Sequence, residues 1–156
     1  MSTDVTWQIK STSSDCTEQL AEQLASQLRG GEVLELISDL GGGKTTFTRG
    51  LARGLGSLET VASPTFTISR VYEAGSLHIH HFDFYRLHEA GIIAEELAEV
   101  LEDNQAIVVV EWADVVQDVL PTERLTITIE KTPEDSRIIT FKVPKRLAHI
   151  KEALSC

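Results

Sequence analysis

The residues with the clearest chemistry lie in one run, "SDLGGGKTTF" over 38–47, where three glycines stand directly before a lysine and two threonines. A loop of this kind exposes consecutive backbone N–H groups that can cradle a phosphate chain, and a lysine there meets the β- and γ-phosphates. The pattern G-x-x-x-x-G-K-[ST] is satisfied by Gly43, Lys44 and Thr45, but its first position holds Ser38. Serine is small enough to serve if that position does not require a positive φ. Asp39, Leu40, Gly41, Gly42, Gly43, Lys44, Thr45 and Thr46 are therefore the candidate nucleotide-binding residues, with the Thr45 hydroxyl available to Mg²⁺.

Hydrolysis of a nucleotide also needs a carboxylate near the metal. Glu111 ends the apolar run "AIVVVEW" (106–112), where such an acid belongs, and Asp83 in "HHFDFYR" is the second candidate, placed to orient a water or support the metal. Strand alternation puts Asp83 on one face with Leu77, Ile79 and His81. His78 and His80 share a face, yet no third ligand follows at a recognisable spacing, so no transition-metal site is expected. The "SPT" run, with Ser63 and Thr65, is either a proline turn or a loop whose hydroxyls reach the terminal phosphate. Thr17 and Trp112 are candidates for contact with the base.

These residues must be carried by elements that the pattern also predicts. "VTWQIK" (5–10) reads as a strand, followed by a helix of about four turns with Leu20, Leu24 and Leu28 on one face, Asp15 and Glu18 as its capping pair and Gly30 as its stop. "EVLELIS" (32–38) is the strand entering the loop. On the helix after it, Phe47, Leu51 and Leu55 form an apolar stripe, with Gly50 and Gly54 beside it to let helix and sheet approach. "TFTISRVYEA" (65–74) and "LHIHHFDF" (77–84) form a hairpin through Gly75 and Ser76, and "GIIAEELAEVLED" (91–103) is a helix. "RLTITIEK" and "RIITFKV" flank the turn "TPEDS", and "RLAHIKEAL" closes with a helix. The expected fold is α/β, a P-loop NTPase-like open and mostly parallel sheet flanked by helices, with antiparallel edge hairpins, in one domain over 1–156.

Composition bounds the function. The 24 acidic and 14 basic residues give a net charge of -10, which disfavours tight, direct binding to nucleic acid. No apolar run has the length of a signal core or a membrane span, so the expected location is cytoplasmic. Cys16 and Cys156 lie near opposite ends of the chain with no C-x-x-C pair, and two unpaired thiols are expected.

Four blocks in order, "DLGGGKTTFTRGLARGLG", "SPTFTI", "HFDFYRL" and "EWAD…LP", make the chain resemble the TsaE (formerly YjeE) family of small bacterial P-loop ATPases. The resemblance implies a cytoplasmic ATPase working with the TsaB and TsaD proteins, which with TsaC attach a threonylcarbamoyl group to adenosine 37 of tRNAs that read codons beginning with A. It implies that the loop holds ATP, that Thr45 and Glu111 serve Mg²⁺, that Asp83 is needed for hydrolysis, and that Ser63 and Thr65 belong to a switch-like segment near the nucleotide. The tRNA would then be reached only through the partner complex, in keeping with the net charge. Ser38 departs from the family's usual Gly-Asp-Leu-Gly opening, and Gly42 stands where alanine is common. The residues alone leave two other uses of such a loop open: a small-molecule kinase and a nucleotide-sensing module that does not hydrolyse.

Overall fold

A computed structural model describes residues 4–39, 41–62 and 68–156. The chain runs through β1 (Val5–Ser11), α1 (Ser14–Ala25), β2 (Val33–Ile37), α2 (Lys44–Gly54), β3 (Ser69–Ala74), β4 (Leu77–Asp83), α3 (Ile92–Val100), β5 (Ala106–Glu111), β6 (Leu125–Lys131) and β7 (Arg137–Val143). Short 3₁₀ segments follow β5 (Ala113–Val116) and β7 (Lys145–Ala153), so the closing "RLAHIKEAL" is a 3₁₀ segment and not an α-helix. All seven strands form one sheet in the order β1-β7-β6-β2-β5-β4-β3. β6, β2, β5 and β4 pair in parallel, while β1–β7, β6–β7 and β3–β4 are antiparallel. The parallel centre and antiparallel edges agree with the expected fold class.

Strand alternation divides the core between the two faces of the sheet. Leu34, Leu36, Ile79, Ile107, Val109 and Ile127 turn to the face covered by α1 and α2, and Val33, Phe82, Val108 and Val110 turn to the face where Leu97 of α3 is buried. β5 is buried along its whole length, as a central parallel strand must be. Glu35 alone places a carboxylate in the middle of β2; it is held by Arg124 Nε at 3.0 Å and Gln117 Nε2 at 3.0 Å.

Three local expectations are corrected. The cap of α1 is Ser13, whose hydroxyl accepts from Cys16 N at 3.1 Å, and Glu18 instead pairs with Arg49 and Arg53 on α2. The capping group must sit at the residue before the first helical turn, and that residue is Ser13. The helix also stops at Ala25, where Gln27 N and Leu28 N turn back to the carbonyls of Leu24 and Ala25, so Leu28 reaches the core from a turn. Secondly, the close approach at Gly50 and Gly54 is to α1 and not to the sheet. A Cβ on Gly54 would lie 2.7 Å from the Glu22 carbonyl and 2.8 Å from Ala25 Cβ. Thirdly, Cys16 and Cys156 are not free thiols. They form a disulfide with Cα atoms 5.3 Å apart, because the C-terminal segment folds back over α1, where Ser155 N and O pair with the Gln23 amide.

The Glu35 network gives a stability prediction. Arg124→Met removes the cation from a carboxylate that stays buried, which costs about 3 kcal/mol, the low end for a broken buried pair because Gln117 still donates. Urea unfolding of the two proteins measures it, and a loss under about 1 kcal/mol would show the pair to be a screened surface contact.

Candidate functional site

An open α/β sheet leaves a crevice beyond the carboxyl ends of its parallel strands. β2, β4 and β5 end together here: Asp83 is registered against Glu111, and Glu111 against Leu36, two residues before Ser38. The other edge brings in the end of β1 and the start of β7, since Ser11 is registered against Arg137. Between these two walls lies a pocket of about 580 Å³ with the glycine loop as its floor.

The loop delivers the start of α2 into this pocket without a cap. Gly43 stands in the N-cap position with φ 120°, no side chain caps the helix, and its first turn holds no acidic residue. The leading N–H groups of α2 therefore keep their hydrogen-bonding capacity and the positive end of the helix dipole for an anion. Gly41 also lies in the left-handed region at φ 74°, which the glycine supplies at no steric cost. Ser38 is absent from the residues with positive φ, so serine in place of glycine is unstrained.

Lys44 is 6% exposed. Its ammonium donates to the carbonyls of Ser38 at 2.9 Å and Asp39 at 3.2 Å and lies 4.8 Å from the centre of the Trp112 ring. Burial lowers its pKa, while the charges of Glu111, Asp83 and Asp39 act in the opposite direction. Trp112 can cover the lysine because it adopts left-handed backbone geometry, φ 54°, directly after β5.

The acidic wall is formed by Asp83 and Glu111, 3% and 2% exposed. Glu111 is fixed by His81, whose Nε2 lies 2.6 Å from Glu111 Oε2. His81 is fully buried, and its Nδ1 has no hydrogen-bond partner among the described residues. Placing the proton on Nε2 makes His81 the donor to the carboxylate and leaves no N–H of its own ring unpaired. One carboxylate oxygen is thereby committed. Asp83 Oδ1 accepts from Tyr85 N at 3.0 Å.

The opposite wall carries hydroxyls and the Arg137–Asp135 ion pair. Ser11, Thr12, Ser13 and Ser14 line it with Thr17, whose hydroxyl shares a hydrogen bond of 2.7 Å with Ser11 Oγ. Arg137 enters from β7, its Nε donating to the Gly42 carbonyl at 2.9 Å and its Nη1 to the carbonyls of Asp135 and Ser136.

The structure thus brings together Gly41, Gly43, Lys44, Thr45 and Thr46 from the loop, Asp83, Glu111 and Trp112 from one side, and Thr17 from the other. Gly42 takes a different part from that expected: its N–H is spent on the Asp39 carbonyl at 3.0 Å. Asp39 contributes through that same carbonyl, held by Lys44. Leu40, Ser63 and Thr65 lie outside the described residues. His78 and His80 face carboxylates at Asp103 and Glu96, away from the pocket lining. Sequence reasoning missed Arg137 and the Ser11–Ser14 hydroxyls, which only strand pairing brings to the loop. It placed His81 on the right face without giving it a partner.

A parallel central sheet with a glycine loop and GKT between its middle strand and a following helix defines a P-loop α/β protein. The family model for "Threonylcarbamoyl adenosine biosynthesis protein TsaE" matches residues 11–139, and the chain belongs to the TsaE family. It is 42% identical over 141 residues to the tRNA threonylcarbamoyladenosine biosynthesis protein TsaE of Bacillus subtilis, covering 89% of this chain and 87% of that protein. Identity to the Streptomyces coelicolor protein of the same name is 37% over 120 residues, covering 76% and 81%. The crystal structure of Bacillus subtilis YdiB superposes with a TM-score of 0.77 at 35% identity, over 99% of this chain and 95% of that one.

If His81 fixes Glu111 as a hydrogen-bond donor, His81→Leu costs about 2 kcal/mol in unfolding free energy by leaving a buried carboxylate oxygen without its donor. His81→Gln, which can still donate, loses distinctly less. Equal losses for the two variants would assign His81 to packing alone.

Proposed function

We propose that this protein is a cytoplasmic, Mg²⁺-dependent ATPase that supports formation of threonylcarbamoyladenosine in tRNA by binding and cycling a TsaB–TsaD complex. The observation that carries the reading is the uncapped start of α2 with a buried lysine ammonium beside it, facing two buried carboxylates across one pocket. Buried charges of both signs at the mouth of a helix dipole suit a ligand that is itself anionic and metal-bound. The names of the relatives, all placed in threonylcarbamoyladenosine biosynthesis, support the role.

The residues fit ATP. The N–H groups of Lys44, Thr45 and Thr46 would meet the phosphate oxygens, and the Lys44 ammonium would exchange its loop carbonyls for the β- and γ-phosphates. Thr17 on the hydroxyl wall is the proposed contact to the base side; Trp112, stacked over Lys44, is proposed to touch the nucleotide from the other wall. Mg²⁺ when bound neutralises phosphate charge, and Thr45 with Glu111 would hold it. Among the described residues no group of three or more His, Cys, Asp or Glu could hold a metal. That suits an ion completed by phosphate oxygens and water.

Asp83, next to Glu111 in register, would orient a water toward the terminal phosphate. Ser63 and Thr65 are proposed to join the site as a switch-like segment, since Ile68, directly after it, accepts from Asp83 N at 2.8 Å. tRNA is reached indirectly, through the partners, as the charge of -10 favours.

Isothermal titration with ATP and Mg²⁺ tests the site. Lys44→Ala is expected to weaken binding at least about 100-fold, because it removes the cation aimed at the phosphates. Glu111→Gln is expected to bind within about tenfold of the wild type yet hydrolyse at most about one hundredth as fast. Undiminished binding by Lys44→Ala would overturn the phosphate-loop reading, and wild-type turnover by Glu111→Gln would move the metal's carboxylate elsewhere.

A further inference from the structure

We propose that Ser38 and Gly42 form a steric pair in the phosphate loop, the Ser38 side chain occupying the space that a side chain at 42 would need. The inference rests on the nucleotide reading above for its functional consequence, though not for its geometry.

Gly41 and Gly43 have φ of 74° and 120°, and the backbone itself calls for glycine there. Gly42 is not in the left-handed region, so its backbone would accept an ordinary residue. What excludes one is space. A Cβ built on Gly42 falls onto the Ser38 hydroxyl and lies 3.0 Å from Ser38 Cβ and 2.9 Å from the Asp39 carbonyl oxygen. Carbon atoms normally approach to about 3.5–4.0 Å.

Neither partner has an easy way out. The Gly42 N–H is bonded to Asp39 O at 3.0 Å and its carbonyl to Arg137 Nε at 2.9 Å. Arg137 is itself held by the carbonyls of Asp135 at 3.3 Å and Ser136 at 3.2 Å, so residue 42 cannot back away without breaking the brace to β7. The Ser38 hydroxyl donates to Asp39 O at 3.0 Å; turning it to another rotamer would remove the closest contact but break that bond and leave Ser38 Cβ 3.0 Å from the added carbon.

The crowding would be felt at the lysine. Lys44 Nζ is held by the carbonyls of Ser38 and Asp39, the two residues that a Cβ at 42 would push. Serine at 38 and glycine at 42 are thus one choice and not two: the loop keeps its lysine acceptors because a side chain is present at only one of the two positions. Arg137 closes the arrangement from the far side by fixing the peptide between Gly42 and Gly43.

The test is a double-mutant cycle of Gly42→Ala, Ser38→Gly and the combined variant. ATP affinity is read by calorimetry in Mg²⁺, and melting temperature is read without nucleotide. Gly42→Ala is expected to weaken ATP binding about tenfold or more, in line with the cost of overpacking a fixed site. Ser38→Gly alone should stay within about threefold of wild type, since no positive φ or phosphate ligand changes. The combined variant should recover most of the loss, within about fivefold of Ser38→Gly, the remainder reflecting the Asp39 carbonyl that no change at 38 removes.

A combined variant as weak as Gly42→Ala would overturn the pairing, and so would Gly42→Ala binding like wild type. If the wild type itself fails to bind ATP, the nucleotide reading fails by itself. The pair is then decided by melting: a lower temperature for Gly42→Ala that Ser38→Gly restores sustains it, and a lowering that is not restored refutes it.

Discussion

The rest of the site depends on keeping one ammonium charged and aimed inside the protein. Lys44 is 6% exposed, and burial works against its charge. The surroundings offset that cost with two loop carbonyls, the face of Trp112 and the field of Glu111, Asp83 and Asp39. Each of these needs its own support. The carbonyls need the loop shape that Gly41 and Gly43 allow, Trp112 needs its left-handed turn, and Glu111 needs His81. Under the proposed function, phosphate oxygens would supply further acceptors to the same ammonium.

Sheet order explains how so small a chain assembles this. With β2 central, the loop after it is flanked by the ends of β5 and β4 on one side and, across β6, by the end of β1 and the start of β7 on the other. The first pair brings two buried acids, the second hydroxyls and the guanidinium of Arg137 with Asp135 beside it. The two helices over this face are held close by Gly50 and Gly54 against α1, and the disulfide pins the C-terminal segment to the helix that carries Thr17. Arg137 links the two systems, since it belongs to an edge hairpin yet bonds a loop carbonyl.

What was legible in the sequence was whatever chemistry lay in one contiguous stretch. The loop, Lys44 and Thr45 are local, and Asp83 and Glu111 end strands whose apolar runs mark them. The parallel centre followed from β5, which is apolar up to its final Glu111, and the hairpins from Gly75-Ser76 and "TPEDS". Arg137 and Ser11 were not legible because register alone brings them to the loop, and register is a property of two strands. The same holds for Cys16 and Cys156, whose separation in sequence says nothing of a tail folding back. Ser13 was overlooked for Asp15 because Ser-x-x-Cys lacks the reciprocal acid of a capping box, although the serine hydroxyl suffices. Gly50 and Gly54 were read as a gap toward the sheet because helix periodicity gives a face and not the identity of what packs on it.

An ATPase whose phosphates and metal are well held still needs its water aligned and its developing charge stabilised. Arg137 is engaged with carbonyls on the hydroxyl wall, and Arg49 and Arg53 are paired with Glu18 of α1, so under the proposed function a partner would complete the site. The most direct measurement is steady-state phosphate release at saturating ATP and Mg²⁺ from wild type and Asp83→Ala, each with and without TsaB–TsaD complex. A slow wild type accelerated at least about tenfold by the complex is expected, with Asp83→Ala not accelerated. A wild type already at the stimulated rate when alone, or an Asp83→Ala protein that responds like wild type, would contradict it.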